Sequence, residues 1–176
     1  YTTGGSSAAS LHNTGALDQA GMFFGYSDTS HNVKVFGIEN YWGNLWKRIS
    51  GWINANGTQK IKLTFGKDDG SEIVGYNLTG SGYIALTGAT PGGTSGGYIN
   101  VSQMNEFGYF PVTASGSETT YEADGLWFNN SQVDVALVGG YCSHGAHCGA
   151  FCSNLDGAAS ASDWSNGAAL SCKPLS

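Results

Sequence analysis

The chain has 176 residues, of which 40% are hydrophobic and only 11% are charged, and its formal net charge is -6. This length supports one domain with a real core and is short for two. Phosphate binding needs clustered Lys and Arg, and a membrane span needs a long continuous apolar run. The sequence offers neither, so we expect no nucleic-acid partner and no direct membrane insertion.

The first predicted segment is a small, polar stretch over residues 1–20, which is typical of a lead-in or linker. The basic and hydrophobic regions of a signal peptide are not visible. The chain also opens on Tyr1 and not on Met. We therefore expect a processed or excised domain, with any anchor, stalk or targeting segment upstream.

The second predicted segment is the aromatic-rich run over residues 36–53. Leu45, Ile49 and Trp52 lie at helical spacing, which predicts a short amphipathic helix around residues 44–50. Large aromatic residues in a chain with few other bulky side chains usually belong to the core. That expectation covers Tyr41, Trp42, Trp46 and Trp52.

Short apolar or alternating runs then predict a series of strands. These runs cover residues 61–65, 83–86, 97–100, 125–128, 133–138 and 168–172. Together with the helix they indicate an α+β fold of short strands, one or two short helices and unusually long ordered loops. We expect one domain over residues 21–176, with Cys172 as a small buried hydrophobe in the terminal strand.

Cysteine and histidine are concentrated between Cys142 and Cys152, and this concentration raises the question of a metal. Zinc sites usually use two ligand pairs separated by a longer loop. Here Cys142, His144, His147, Cys148 and Cys152 fall within eleven residues of glycine-rich coil. We therefore expect no metal and no cofactor. A disulfide from Cys142 to Cys148 or Cys152 stays open, since four cysteines allow three full pairings.

The last quarter of the chain, residues 136–176, alternates between a framework of small and apolar residues and a set of polar gap residues. Each gap residue can be reached from an asparagine codon by changing only its two adenines, and no such change creates a stop codon. The gap residues are Tyr141, Cys142, Ser143, His144, His147, Cys148, Cys152, Ser153, Asp156, Ser160, Ser162, Asp163 and Ser165. This pattern predicts a binding surface built to be rewritten and argues against a fixed active site. We assign Trp164 to the framework and expect it to be buried.

The framework itself is recognisable. GGYCSHGAHCGAF is followed by DWSNGAALS from Asp163 to Ser171, and upstream lie FGIENYWGNLW at 36–46 and DGLW at 124–127. These runs resemble the C-type-lectin-like variable domains of proteins diversified by retroelements, in the branch from gut phages and gut bacteria. Such domains occur in phage tail receptor-binding proteins and in bacterial surface adhesins.

The resemblance implies a C-type-lectin-like fold that holds a replaceable, solvent-facing patch at about residues 139–167. Loops on a rigid frame tolerate such replacement, and Ser, Asp, His and Tyr provide adaptable contacts. The residues expected to contact the ligand are Tyr141, Ser143, His144, His147, Cys148, Cys152, Asp156, Ser160, Ser162 and Asp163. The implied partner is a host or partner cell-surface protein or glycan, the implied location is a virion tail or a bacterial surface, and upstream segments could supply a homotrimer.

Two alternatives stay open at this point. One is a carbohydrate-binding lectin domain of fixed specificity. The other is a formylglycine-generating-type oxidase, an enzyme of the same fold class, with Cys142 and Cys148 as its reactive pair. No basic pocket that would lower a thiol pKa is evident near these cysteines, and no Ser-His-Asp order or nucleophile elbow is present. We therefore expect a protein that is not an enzyme.

Overall fold

The computed structural model describes residues 11, 13, 15, 17–25, 33–62, 75–87, 96–119 and 123–167. Within these residues the chain forms twelve strands and one three-residue 3-10 helix, Gly145–His147. The strands are β1 (Lys34–Val35), β2 (Ile38–Glu39), β3 (Trp46–Ala55), β4 (Thr58–Ile61), β5 (Ile84–Ala85), β6 (Gly97–Tyr98), β7 (Val101–Asn105), β8 (Gly108–Thr113), β9 (Gly125–Phe128), β10 (Val133–Val138), β11 (Ser153–Leu155) and β12 (Asn166–Gly167).

The prediction of an α+β fold with one or two helices is wrong, because the described residues form a nearly all-β structure. The helix expected around residues 44–50 lies largely in β3. Between the pairs Leu137↔Arg48 and Val135↔Ile53, β3 advances five residues while β10 advances two. This bulge interrupts the two-residue alternation of the strand. Ile49 and Trp52 lie within this irregular stretch, where Ile49 is exposed and Trp52 is buried, so their spacing imitates a helix without sharing a helix face.

The strand predictions fare better. The strands expected over Gly125–Phe128 and Val133–Val138 are confirmed with the same bounds. The runs 83–86 and 97–100 contain the two-residue strands β5 and β6. The run 61–65 contributes only its first residue to β4, and residues 63–65 lie outside the described part of the chain, as do the predicted strand 168–172 and Cys172.

Eight of the strands form one sheet, in the order β5-β4-β3-β10-β11-β9-β6, with β12 pairing beside β3. The pairing of β11 with β9 and of β12 with β3 is parallel, and the remaining pairs in this sheet are antiparallel. The hairpin β7–β8 is a separate two-stranded sheet, and so is the hairpin β1–β2. The described residues include no helix with the length and hydrophobicity that a membrane span requires.

The two faces of the sheet carry two clusters of buried side chains. The larger cluster packs the first face against the hairpin β7–β8, and its members are Trp52, Ile61, Leu86, Ile99, Phe110, Leu126, Phe128, Ala136 and Leu155. The smaller cluster on the second face contains Trp46, Leu137 and Cys152, with Trp127 and Tyr141 against it. The core placement of Trp46 and Trp52 is confirmed, whereas Tyr41 is exposed and Trp42 is only half-buried.

Two buried amide side chains join separate elements of the fold. Gln59 accepts a hydrogen bond from Trp52 Nε1 (3.1 Å) and donates one to the carbonyl of Pro111 (2.8 Å), which ties the hairpin to the sheet. Asn54 donates to the carbonyls of Asn129 (2.7 Å) and Leu155 (3.1 Å), and its Oδ1 accepts from the amide of Gly57 (3.0 Å). Buried polar groups left without partners are costly, so these bonds fix the relative positions of the strands.

Replacing Asn54 by Ala tests this role. The change leaves two carbonyls and one amide without their partner at a fully buried position, and we expect a loss of about 3 kcal/mol of unfolding free energy in urea denaturation. Gln103→Ala, at a half-exposed strand position, is the control and should change it by less than about 0.5 kcal/mol. Equal losses in the two variants would contradict the assignment.

Candidate functional site

The C-terminal segment predicted to be variable, residues 139–167, is built into the sheet at two points. Its middle forms β11, which lies between β10 and β9. Its end forms β12, which pairs with Trp46 and Lys47 at the start of β3. Between these strands the chain crosses from β11 to β3, and Ala158 makes a bridge with Asp134 on the way. The segment therefore consists of two surface loops fastened by sheet pairing.

The second face of the sheet supports these loops with a row of side chains. Leu137 pairs with Arg48 on one side and with Asn154 on the other, and Asn154 pairs with Trp127. Residues that are directly paired point to the same face of a sheet. Arg48 uses this position to donate to the carbonyl oxygens of residues 159 (3.0 Å) and 161 (2.6 Å) in the crossing loop.

The first loop, residues 139–152, wraps around a buried centre made of small residues. Cys148 is fully buried, and its Sγ donates to the carbonyl of Tyr141 (3.2 Å). Gly140 has a positive φ of 73°, and a Cβ there would lie 2.5 Å from this sulfur. Gly149 leaves no room for a Cβ beside the buried carboxylate of Asp124, which accepts the amide of Phe151 at 2.8 Å. The backbone of this loop is therefore fixed from within.

The outer side of the same region carries a continuous series of rings, which we call the aromatic–imidazole strip. In order along the surface its members are Trp164, Tyr141, His144, Trp127, His147 and Tyr98. Successive ring centroids are 5.6, 4.1, 4.7, 5.3 and 4.0 Å apart. Trp164 is 61% exposed, the other five rings are half-buried, and Trp46 packs beneath His144 at 5.2 Å. Such rings offer flat, rigid contact area that loses little conformational entropy on binding.

The strip is electrically neutral at its centre. Burial among the neighbouring rings, helped by the nearby His147, lowers the pKa of His144 to about 4, so its imidazole is uncharged at neutral pH. Burial, and then the negative charge of Glu118, raises the pKa of Tyr98. At the outer end, Asp163 accepts hydrogen bonds from the Ser165 hydroxyl (2.6 Å) and amide (2.8 Å), which lower the pKa of its carboxyl. The strip therefore has an uncharged imidazole at its centre and the Asp163 carboxylate at one edge.

The residues expected to contact a ligand separate into four groups. Tyr141, His144 and His147 lie in the strip, and Ser143, Ser160, Ser162 and Asp163 are exposed in the loops that carry it. Asp156 is also exposed, but its carbonyl accepts from Gln132 beside Asp134 (3.3 Å), at the opposite end of β10 from Tyr141. Cys148 and Cys152 are fully buried, so no ligand can touch them and we remove both from the contact set.

The sequence did not predict a contact role for three residues of the strip. Trp127 and Tyr98 come from β9 and β6, far from the C-terminal segment along the chain. Trp164 was expected to be buried and is exposed, because the turn capped by Asp163 directs it outward against Tyr141. The tryptophan between two polar residues at 163–165 was the available signal for this exposure.

The site offers little to a metal or to thiol chemistry. Within the described ranges, no group of three or more His, Cys, Asp or Glu side chains is arranged to hold a metal ion. Cys142, Cys148 and Cys152 are buried thiols and not disulfides. Burial raises the pKa of Cys152 well above its usual value, with smaller contributions from Cys148 and Asp124. A thiol in such surroundings is not a nucleophile.

Comparison with known proteins does not assign the chain to a family. No protein-family model matches the chain, and no curated protein matches it either. What can be said of its function therefore rests on the residues themselves.

The neutral state of His144 makes a prediction about pH. Its folded pKa of about 4 lies below the unfolded value of 6.5, so its contribution to stability is complete above pH 6.5 and is lost as the pH falls toward 4. After allowance for partial solvent exposure, we expect a loss of about 1 kcal/mol over this interval.

The measurement is a titration of the His144 imidazole by NMR, together with urea denaturation at pH 7 and pH 4.5. The His144 resonance should move with a midpoint near 4. His144→Gln should remove this part of the pH dependence of stability, since glutamine does not titrate. A midpoint near 6.5 would show that the ring is not desolvated as described.

Proposed function

We propose that this chain is a non-catalytic ligand-binding domain whose C-terminal segment is a surface diversified by a retroelement. Its proposed setting is a phage tail receptor-binding protein or a bacterial surface adhesin. The proposed partner is a protein or glycan on a host or partner cell surface. The C-type-lectin-like α+β fold is not part of this proposal, because the described strands overturn it.

The observation that carries the proposal is the separation of buried and exposed side chains within residues 139–167. Buried Leu155, Ser153 and Cys148 fix the backbone, while Ser143, Ser160 and other polar side chains of the same segment face solvent. A surface can be rewritten only if its replaceable side chains make few contacts that the fold needs. This arrangement meets that condition at the exposed gap residues.

The strip adds fixed contact area to the replaceable positions. Trp127 and Trp164 cannot arise from an asparagine codon by adenine changes, because the tryptophan codon ends in guanine. His144 and His147, which can arise in this way, lie against Trp127 at 4.7 and 5.3 Å. We infer that constant tryptophans supply affinity and that the variable residues between them select the ligand, as rigid aromatic anchors and adaptable polar residues do in antibodies.

Catalysis finds no support in this geometry. The formylglycine-type alternative needs Cys142 and Cys148 to reach a substrate thiol, and both side chains are buried. The pKa of His144, lowered to about 4, makes its imidazole a weak base, and the ring lies among Tyr141, Trp46 and Trp127.

The DNA around the gene tests the proposal directly. We expect a near-identical template copy of the segment encoding residues 139–167 beside a reverse-transcriptase gene, differing only at template adenines. Sibling genes should differ at the codons of Ser143, His144 and Ser160 and keep those of Gly140 and Gly149. Differences spread equally over framework codons would refute the proposal.

A second candidate is a carbohydrate-binding domain of fixed specificity, and one observation favours it. Trp164 is 61% exposed beside Tyr141, and exposed tryptophans stack on the apolar faces of sugars. In this case, binding on a glycan array should be lost in Trp164→Ala and persist in Ser143→Ala and His144→Ala. Loss of binding in all three variants would favour the diversified surface instead.

A further inference from the structure

A second surface of the molecule, distant in sequence from the variable segment, has an unusual composition. The hairpin β1–β2 and the preceding chain expose four large apolar side chains, which we call the apolar hairpin patch. Its members, with their exposed fractions, are Met22 (62%), Phe23 (58%), Phe36 (68%) and Ile38 (50%). Exposed fractions this large are typical of polar side chains, whereas all four residues are apolar.

The patch is held together by specific contacts. The rings of Phe23 and Phe36 meet edge to face at 4.8 Å. The amide of Gly37 donates to the carbonyl of Met22 (2.9 Å), and Phe24 forms a two-way bridge with Lys34 (2.8 and 2.9 Å). These contacts place Met22, Phe23 and Phe36 next to one another, and Ile38 follows directly after Gly37.

Phe36 occupies a backbone conformation that does not suit it. The pair Val35↔Ile38 closes a two-residue turn, in which Phe36 has a φ of 50° and Gly37 a φ of 78°. Turns with two positive φ values strongly favour Asn-Gly, because a bulky side chain at the first position is strained. Among the described residues, the ring contact made by Phe36 is with Phe23. Strain maintained at an exposed position points to a function outside the chain.

The charges near the apolar hairpin patch indicate which kind of partner it can bind. The charged residues of the hairpin are already engaged, since Lys34 donates to the carbonyls of Leu17 (2.8 Å) and Ala20 (3.2 Å), and Glu39 accepts the amides of Gly15 (2.5 Å) and Leu17 (2.8 Å). Both charged side chains of the hairpin β1–β2 are therefore engaged within the chain, and the four residues of the patch carry no charge themselves. Two copies of a chain with a net charge of -6 repel each other where acidic groups face, and an uncharged patch is where they can meet.

The exposed apolar area of the patch is close to the apolar area that a dimer interface buries on each chain. Four side chains exposed to this extent present about 450 Å² of apolar surface. A standard interface buries about 800 Å² on each partner, of which about 500 Å² is apolar when two identical chains meet. The patch alone nearly supplies the apolar core of such an interface. A two-fold axis would bring the same four residues of each copy into contact.

We propose that the apolar hairpin patch is a self-association surface on which a second copy of this chain docks. Pairing two chains would present two aromatic–imidazole strips together and raise functional affinity for a repetitive ligand. The proposal does not depend on the diversification of the C-terminal segment.

The test is the molar mass of the chain in solution, measured by light scattering and sedimentation from micromolar to sub-millimolar concentration. We expect a reversible dimer whose dissociation constant falls as salt increases, because salt screens the repulsion between two acidic copies. A chain that stays monomeric throughout, or a dimer that salt dissociates, would overturn the proposal.

Three variants locate the surface. Ile38→Asp should raise the dissociation constant by at least about tenfold, since it buries a charge in the interface. Phe36→Gly should also raise it while leaving the monomer folded, because glycine accepts a positive φ without strain. Met104→Asp introduces the same charge at a side chain that is 78% exposed on β7 and should leave association unchanged. Association that survives both hairpin variants, or that Met104→Asp weakens equally, would refute the assignment.

Discussion

The structure of the C-terminal segment depends on the insertion of three residues into the sheet. β11, Ser153–Leu155, pairs in parallel with β9 and antiparallel with β10, and thus fills the gap between two strands that come from earlier in the chain. Leu155 is fully buried and its carbonyl accepts from Asn54. Without β11 the strand β9 would lose its link to the rest of the sheet. The segment proposed to vary therefore also completes the fold.

This double role limits which of its residues can vary. Side chains that face the sheet or the centre of the first loop, such as Cys148 and Cys152, are enclosed, and any larger replacement would need the surrounding backbone to move. Side chains that face outward have no such limit. The codon pattern alone treats both groups alike, and only their burial separates them. The proposed binding surface is accordingly smaller than the set of substitutable positions, and it gains Trp127 and Tyr98 from the constant part of the sheet.

The sequence predicted the parts of the fold in which local pattern and tertiary pairing agree. β9 and β10 are regular, and their apolar runs mark both bounds correctly. The helix expected in β3 is wrong because the bulge in this strand is defined by its pairing with β10, and no local propensity marks it. The exposure of Trp164 depends on the turn that Asp163 caps, and the burial of Cys148 depends on how its loop folds back onto the carbonyl of Tyr141. Single residues in loops carry no periodicity from which such contacts could be read.

The central claim is that a rigid backbone carries side chains that can be replaced freely. The most direct measurement compares two displayed libraries. For each library it determines the fraction of members whose unfolding temperature equals that of the wild-type chain. One library randomises Ser143, His147, Ser160 and Ser162, and the other randomises Cys148, Cys152, Ser153 and Leu155. The account predicts that most members of the first library keep the wild-type unfolding temperature and that few members of the second fold at all. Similar folded fractions in the two libraries would contradict it.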